Sequence, residues 1–126
     1  VLWWDPVHKD QVSGSVHAYP RFSTRSIGQA MRLGVEVFSE AGKSPPACGS
    51  ILFVTSAADL AANNAVSARL ASIWRNSRPG VVEAYEFPAS EKVPHDFIDP
   101  GQSDQRVEIV YPRLIEMLET GKPPGG

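Results

Sequence analysis

A chain of 126 residues has the length of one domain, and with 42% apolar and 21% charged residues it can bury a core rather than remain disordered. Its 12 basic and 14 acidic side chains, net −2, exclude the basic patch that a nucleic acid or an anionic membrane surface requires. The lone Cys48 excludes an internal disulfide framework and a cysteine-rich zinc site, and no apolar run approaches the ~20 residues that span a bilayer.

The first element is Val1-Leu2-Trp3-Trp4, an apolar run that suits a pleated surface and reads as a buried core strand. Asp5-Pro6 ends it, because proline cannot continue a central ladder. An opening in mid-strand leads to the expectation that these residues form the later part of a larger domain. Residues 5–22 show no clear period, and Ser13-Gly14-Ser15 and Tyr19-Pro20 mark loop. An irregular stretch of this length is usually functional or a lid. Over 24–41, Ile27, Ala30, Met31, Gly34, Val37 and Phe38 recur at helical spacing. Ser23 or Thr24 is the expected cap, and Gly42 the residue just past the end. Pro45-Pro46 then mark a linker or turn.

Residues 50–55, Ser-Ile-Leu-Phe-Val-Thr, read as a second buried strand, and their continuous apolar run suggests a sheet covered on both faces. After Ser56, Ala57, Ala58 and Asp59, Asn63 or Asn64 can cap a helix with the stripe Val66, Leu70, Ile73 and Trp74. That helix is expected to end near Asn76, before Pro79-Gly80. Residues 81–87 read as a third strand, closed by Pro88. A loop over 89–102 carries His95, Asp96 and Asp99-Pro100-Gly101. The last helix is expected from about Ser103 to Glu119, with Val107, Val110, Leu114, Ile115 and Leu118 on its core face. Pro112 predicts a kink or split within it. The tail from Gly121 to Gly126 is rich in proline and glycine. Strands alternating with helices imply βαβ units and a parallel sheet, an α/β fold.

In an open parallel sheet, sites form at the carboxyl ends of the strands. Asp5 follows the first strand, Asp59 the second, and His95 the third. An imidazole that transfers protons needs an acceptor on Nδ1 to hold its tautomer and stabilise the imidazolium, and a buried aspartate provides one. An aspartate after a strand is more often a helix cap, and a loop histidine more often a solvated or packing residue. The two together on consecutive strands point to catalysis. His8 and His17, with Asp5 or Asp10, match no standard metal-ligand spacing, so no metal or other cofactor is expected. Cys48 precedes a strand and lacks the helix N-terminus that would activate a thiol.

The run Ile51 to Asp59, a helix, a strand, and then Pro94-His95-Asp96-Phe97 before a last helix resembles the C-terminal part of an α/β-hydrolase. The resemblance implies a three-layer fold, a mostly parallel sheet with flanking helices, in a single partial domain. Residues 1–4 would be a core strand, 5–49 a cap- or lid-like insertion and helix, and 50–126 a βαβα portion. In that family the triad runs Ser, then Asp or Glu, then His. Carried over by position, Asp59 is the acid and His95 the base. Asp5 is the rival acid, because some members place the acid after the earlier strand. Asp59 is preferred for the small-residue turn before it, whereas Asp5 leads straight into Pro6.

The nucleophile elbow Gly-x-Ser-x-Gly is absent from these residues. Gly14-Ser15 lacks the second glycine, and Gly49-Ser50 precedes a strand instead of following one. The expectation is therefore the C-terminal part of a serine hydrolase that cleaves an ester- or amide-type acyl bond of a small-molecule or peptide substrate. Its nucleophile would lie in an N-terminal portion, and the isolated chain would be inactive. The alternative is a non-catalytic interaction or oligomerisation module, in which an open strand pairs with another chain or builds a homo-oligomer. The lone cysteine and the charge suit a cytoplasmic protein, and a secreted one with its signal removed would look the same.

Overall fold

A computed structural model of the chain describes residues 1–9 and 19–124. It is a mixed α/β structure with two small sheets. Strands β1 (Leu2–Trp3) and β2 (Arg21–Phe22) form an antiparallel ribbon, Leu2 opposite Phe22 and Trp3 opposite Arg21. The Trp4 N–H donates to the Pro20 carbonyl at 3.2 Å, and the Trp4 and Phe22 rings lie 4.2 Å apart. The expected core strand over 1–4 is thus corrected. Its partner comes from nearby in the chain, so its apolar side chains cover one another, and Leu2 and Trp4 remain 52% and 60% exposed.

Helix α1 (Thr24–Ala41) follows, with Ser23 extended before it and making no side-chain cap bond. Gly42 ends it at φ −76°, a conformation that makes no use of glycine's freedom. Only Ala41 of this helix is buried, and Met31, Leu33 and Val35 face solvent. The regular apolar spacing of α1 therefore forms a helix but not a core. The Arg69 guanidinium lies over the Phe38 ring of this helix, at 5.9 Å.

The centre of the molecule is a βαβ unit. Strands β3 (Ile51–Ser56) and β4 (Val82–Phe87) pair in parallel, from Ile51 opposite Val82 to Ser56 opposite Phe87. Helix α2 (Asn64–Ser77) makes the connection. Side chains alternate across the strands, and two separate clusters result. Ile51, Phe53 and Val82 pack with Ala71 and Trp74 of α2. Val54, Tyr85 and Phe87 pack with Val110 and Leu114 of helix α3 (Val107–Thr120). With a helix against both sets, the strand needs apolar residues at successive positions, which explains the unbroken run in β3.

Helix α3 begins four residues later than Ser103. Linked turns use up the intervening chain, through Asp99 N–H to Asp96 O, Gln102 N–H to Asp99 O and Gln105 N–H to Gln102 O. The Gln105 side chain then accepts from the Val107 N–H at 2.8 Å, in place of a serine cap. The helix runs unbroken through Pro112, which costs it the bond to the Glu108 carbonyl. Val110 and Met117, both fully buried, hold the helix down on either side of the proline. The core-facing stripe is the buried Val110 and Met117 with the half-buried Leu114, so Ile115 and Leu118 lie off the core face and are exposed. Gly121 closes α3 at φ +69°, its N–H on the Met117 carbonyl at 2.8 Å, a left-handed position that favours glycine. Among the described residues no helix is long and apolar enough to cross a membrane.

Candidate active site

The parallel register brings the ends of β3 and β4 together, so the turns that leave them are neighbours. The Ala57 N–H extends the ladder by one bond to the Phe87 carbonyl at 2.9 Å. The chain then turns back, with the Asp59 N–H on the Ser56 carbonyl at 3.1 Å. Asp59 Oδ1 accepts from the N–H groups of Ala61 and Ala62, at 2.7 and 3.0 Å. This aspartate turn carries the backbone into Asn63, whose side chain accepts from the Val66 N–H and caps α2.

The other wall comes from the segment after β4. Pro88 stops the ladder, and a single 3-10 turn (Ala89–Glu91) follows. Lys92 adopts a left-handed conformation, φ 52°, and redirects the chain inward so that Val93 is fully buried. Arg113 of α3 grips this turn with a two-pronged contact to Glu91, at 2.6 and 2.8 Å. It also donates to the Tyr85 hydroxyl at 2.8 Å and lies over the Phe87 ring.

His95 emerges from this loop beside Asp59. Its Nδ1 lies 2.7 Å from Asp59 Oδ2, a contact between residues 36 positions apart. An ionised carboxylate can only accept, so Nδ1 carries the shared proton and Nε2 of the neutral ring keeps its lone pair. Asp96 Oδ1 lies 4.0 Å from Nε2, beyond hydrogen-bond reach. The Asp59 side chain is 7% exposed and that of His95 53%, so a sheltered anion holds a ring that reaches solvent.

Burial by itself pushes the Asp59 carboxyl up. The hydrogen bonds from His95, Ala62 and Ala61 outweigh it and hold the group below its ordinary value. The hydrogen bond to Asp59 raises His95 above the usual imidazole range, against some desolvation and with help from the charges of Asp59 and Asp96. The pair can therefore do what an oriented imidazole does. It can accept a proton at Nε2 while the resulting cation is stabilised through Nδ1.

Asp5 does not join this group. Its Oδ1 accepts from the N–H groups of Val7 and His8, at 2.8 and 2.9 Å, and its Oδ2 meets His8 Nδ1 at 3.0 Å. The backbone bond from His8 is the main reason its carboxyl is held low. Asp5 thus serves its own turn, as an aspartate before proline commonly does. His17 and Asp10 lie outside the described residues. Among the described residues no three His, Cys, Asp or Glu side chains are grouped to hold a metal ion. Cys48 is exposed, in the turn before β3, where its carbonyl accepts from Arg78 at 3.0 Å.

Two supports of the pair escape a reading of the motifs alone. One is the Arg113–Glu91 contact, for which sequence spacing carries no signal. The other is Ser56, which is buried at the end of β3. A signal for it exists, since Leu52, Val54 and Ser56 share one strand face by alternation and a hydroxyl is out of place in that row. Compared with known proteins, the chain matches no family model, no curated protein and no solved structure.

Proposed function

We propose that this chain carries the acid and the base of a serine-hydrolase site in an α/β-hydrolase-like, three-layer fold. Polypeptide outside these 126 residues contributes the nucleophilic serine and the oxyanion hole. The observation that supports the reading best is the 2.7 Å contact between Asp59 Oδ2 and His95 Nδ1, made at the carboxyl ends of adjacent parallel strands. The order of elements over 51–120 and the order of acid before histidine agree with it.

In this mechanism His95 Nε2 takes the proton of the serine hydroxyl as its oxygen attacks the acyl carbon. Asp59 holds the ring and stabilises the imidazolium without taking up the proton. The imidazolium gives that proton to the leaving alcohol or amine, and an acyl-enzyme remains. Water then attacks the acyl group while Nε2 again takes a proton, and its return to the serine releases the acid product. The substrate class is an ester- or amide-type acyl compound.

The test is labelling with a fluorophosphonate, which reacts with an activated serine. The 126-residue chain alone is expected to stay unlabelled. Together with the polypeptide encoded upstream, the upstream serine is expected to label, and His95→Ala to abolish it. Labelling of the isolated chain, or upstream labelling that His95→Ala leaves unchanged, would sink the proposal.

A further inference from the structure

Asp59 and His95 sit on two different loops, so their separation depends on what joins those loops. Ser56 is the join. Its hydroxyl donates to the Val93 carbonyl at 2.7 Å, two residues ahead of His95. The same oxygen accepts from the Ala58 N–H at 3.2 Å, the residue before Asp59. Its own carbonyl receives the Asp59 N–H at 3.1 Å and the Asn64 side-chain amide at 2.6 Å. Ser56 is 1% exposed and Val93 fully buried, so water does not compete for the bond between them, and the bonds from Ala58 and Asn64 are partly sheltered. A hydroxyl in an apolar row is costly unless both its donor and its acceptor capacity are met. Here both are met, one on each loop that carries a member of the pair.

We infer that Ser56 is a positioning residue of the proposed site, a buried hydroxyl that fixes the Asp59 turn and the His95 loop at hydrogen-bonding distance from each other. This rests on the Asp59–His95 reading and extends it to a residue that touches neither reacting side chain. An apolar residue of similar size at position 56 would leave the Val93 carbonyl and the Ala58 N–H without partners, and each loop would settle separately. The expected consequence is a His95 ring that no longer holds its proton on Nδ1.

The test follows the ring nitrogens of His95 by NMR through a pH titration of the histidine-labelled 126-residue chain. In the wild-type chain His95 is expected to titrate above its ordinary 6.5 with the Nδ1–H form dominant, and Asp59→Asn to return it to about 6.5. Ser56→Ala is expected to bring the midpoint back towards 6.5 and to mix the two tautomers. Ser56→Cys, with a weaker donor of similar shape, should give an intermediate value, and Ser56→Thr, which keeps the hydroxyl, should stay near wild type. Circular dichroism of the same samples shows which variants are folded, and Ser56→Cys decides if Ser56→Ala is not. A folded Ser56→Ala or Ser56→Cys chain with His95 as high as wild type overturns the role of Ser56 and leaves the pair standing. A wild-type His95 that titrates at its ordinary value overturns both.

Discussion

At the scale of single residues, the site depends on which charges coexist. His95 titrates higher in the folded chain than in the unfolded one. Its contribution to stability is complete below the unfolded value of 6.5 and fades as pH rises through the folded value. Asp59 titrates lower in the folded chain, so its contribution is complete above the unfolded value of 3.8 and fades as pH falls through the folded value. The two windows overlap between 3.8 and 6.5, where the carboxylate is ionised and the imidazole protonated. Melting curves of wild type and Asp59→Asn are therefore expected to differ most in that interval, to converge as pH falls below it, and to keep a smaller difference above it, where the carboxylate still accepts from Ala61 and Ala62. The size of the difference is tempered by solvent, because half of the His95 side chain is exposed. A gap that stays constant from about pH 3 to about pH 9 would show that the contact carries no charge-dependent stability.

At the scale of elements, the turn that holds Asp59 and the helix behind it share one stretch of backbone. Asn63 ends the aspartate turn and begins α2, and its side chain satisfies the Val66 N–H at 3.3 Å. Asn63→Ala removes that acceptor and is expected to lower unfolding stability in urea by about 1 kcal/mol, while Asn63→Gly should cost only a few tenths. A Gly variant less stable than the Ala variant would mean that backbone entropy, not capping, governs this position. This cap was legible because asparagine before an apolar stripe is a local signal. The start of α3 was not. Ser103 is as good a local cap as Asn63, but the linked turns over 96–105 take the chain past it, and the Gln105 side chain satisfies the Val107 N–H at the helix start instead. Pro112 likewise predicts a break from local geometry alone, yet Val110 and Met117 are anchored on either side of it.

At the scale of the whole molecule, the buried residues are few and divided between the two sides of the β3–β4 pair. Phe87 is central to the side that supports the site. It is fully buried, meets Tyr85 edge-on at 5.0 Å and Phe97 at 5.9 Å, and lies under Arg113. Phe87→Ala is expected to cost about 3–5 kcal/mol, a large share of the roughly 5–15 kcal/mol that holds a domain folded. Leu118→Ala, at an apolar position that is 76% exposed, should stay within about 0.5 kcal/mol of wild type. Urea denaturation of the two variants measures the contrast, and equal losses would contradict the placement of the core. His95 lies on the loop that follows Phe87, the last residue of β4, so the aromatic cluster and the site depend on the same packing.

By itself the sequence determined the helices over 24–41 and near 64–77, the strands near 51–56 and 82–87, and the placing of Asp59 and His95 just beyond successive strands. Those features rest on periodicity, proline and glycine punctuation, and caps, all of which act between near neighbours in the chain. Only the tertiary structure decided that Asp59 and not Asp5 reaches His95, that residues 2–3 join a separate antiparallel ribbon, and that Ile115 and Leu118 face outward. The physical reason is distance along the chain. A contact across 36 positions forms only when strand register, two turns and the buried Ser56 hydroxyl all agree, and no local pattern encodes that agreement.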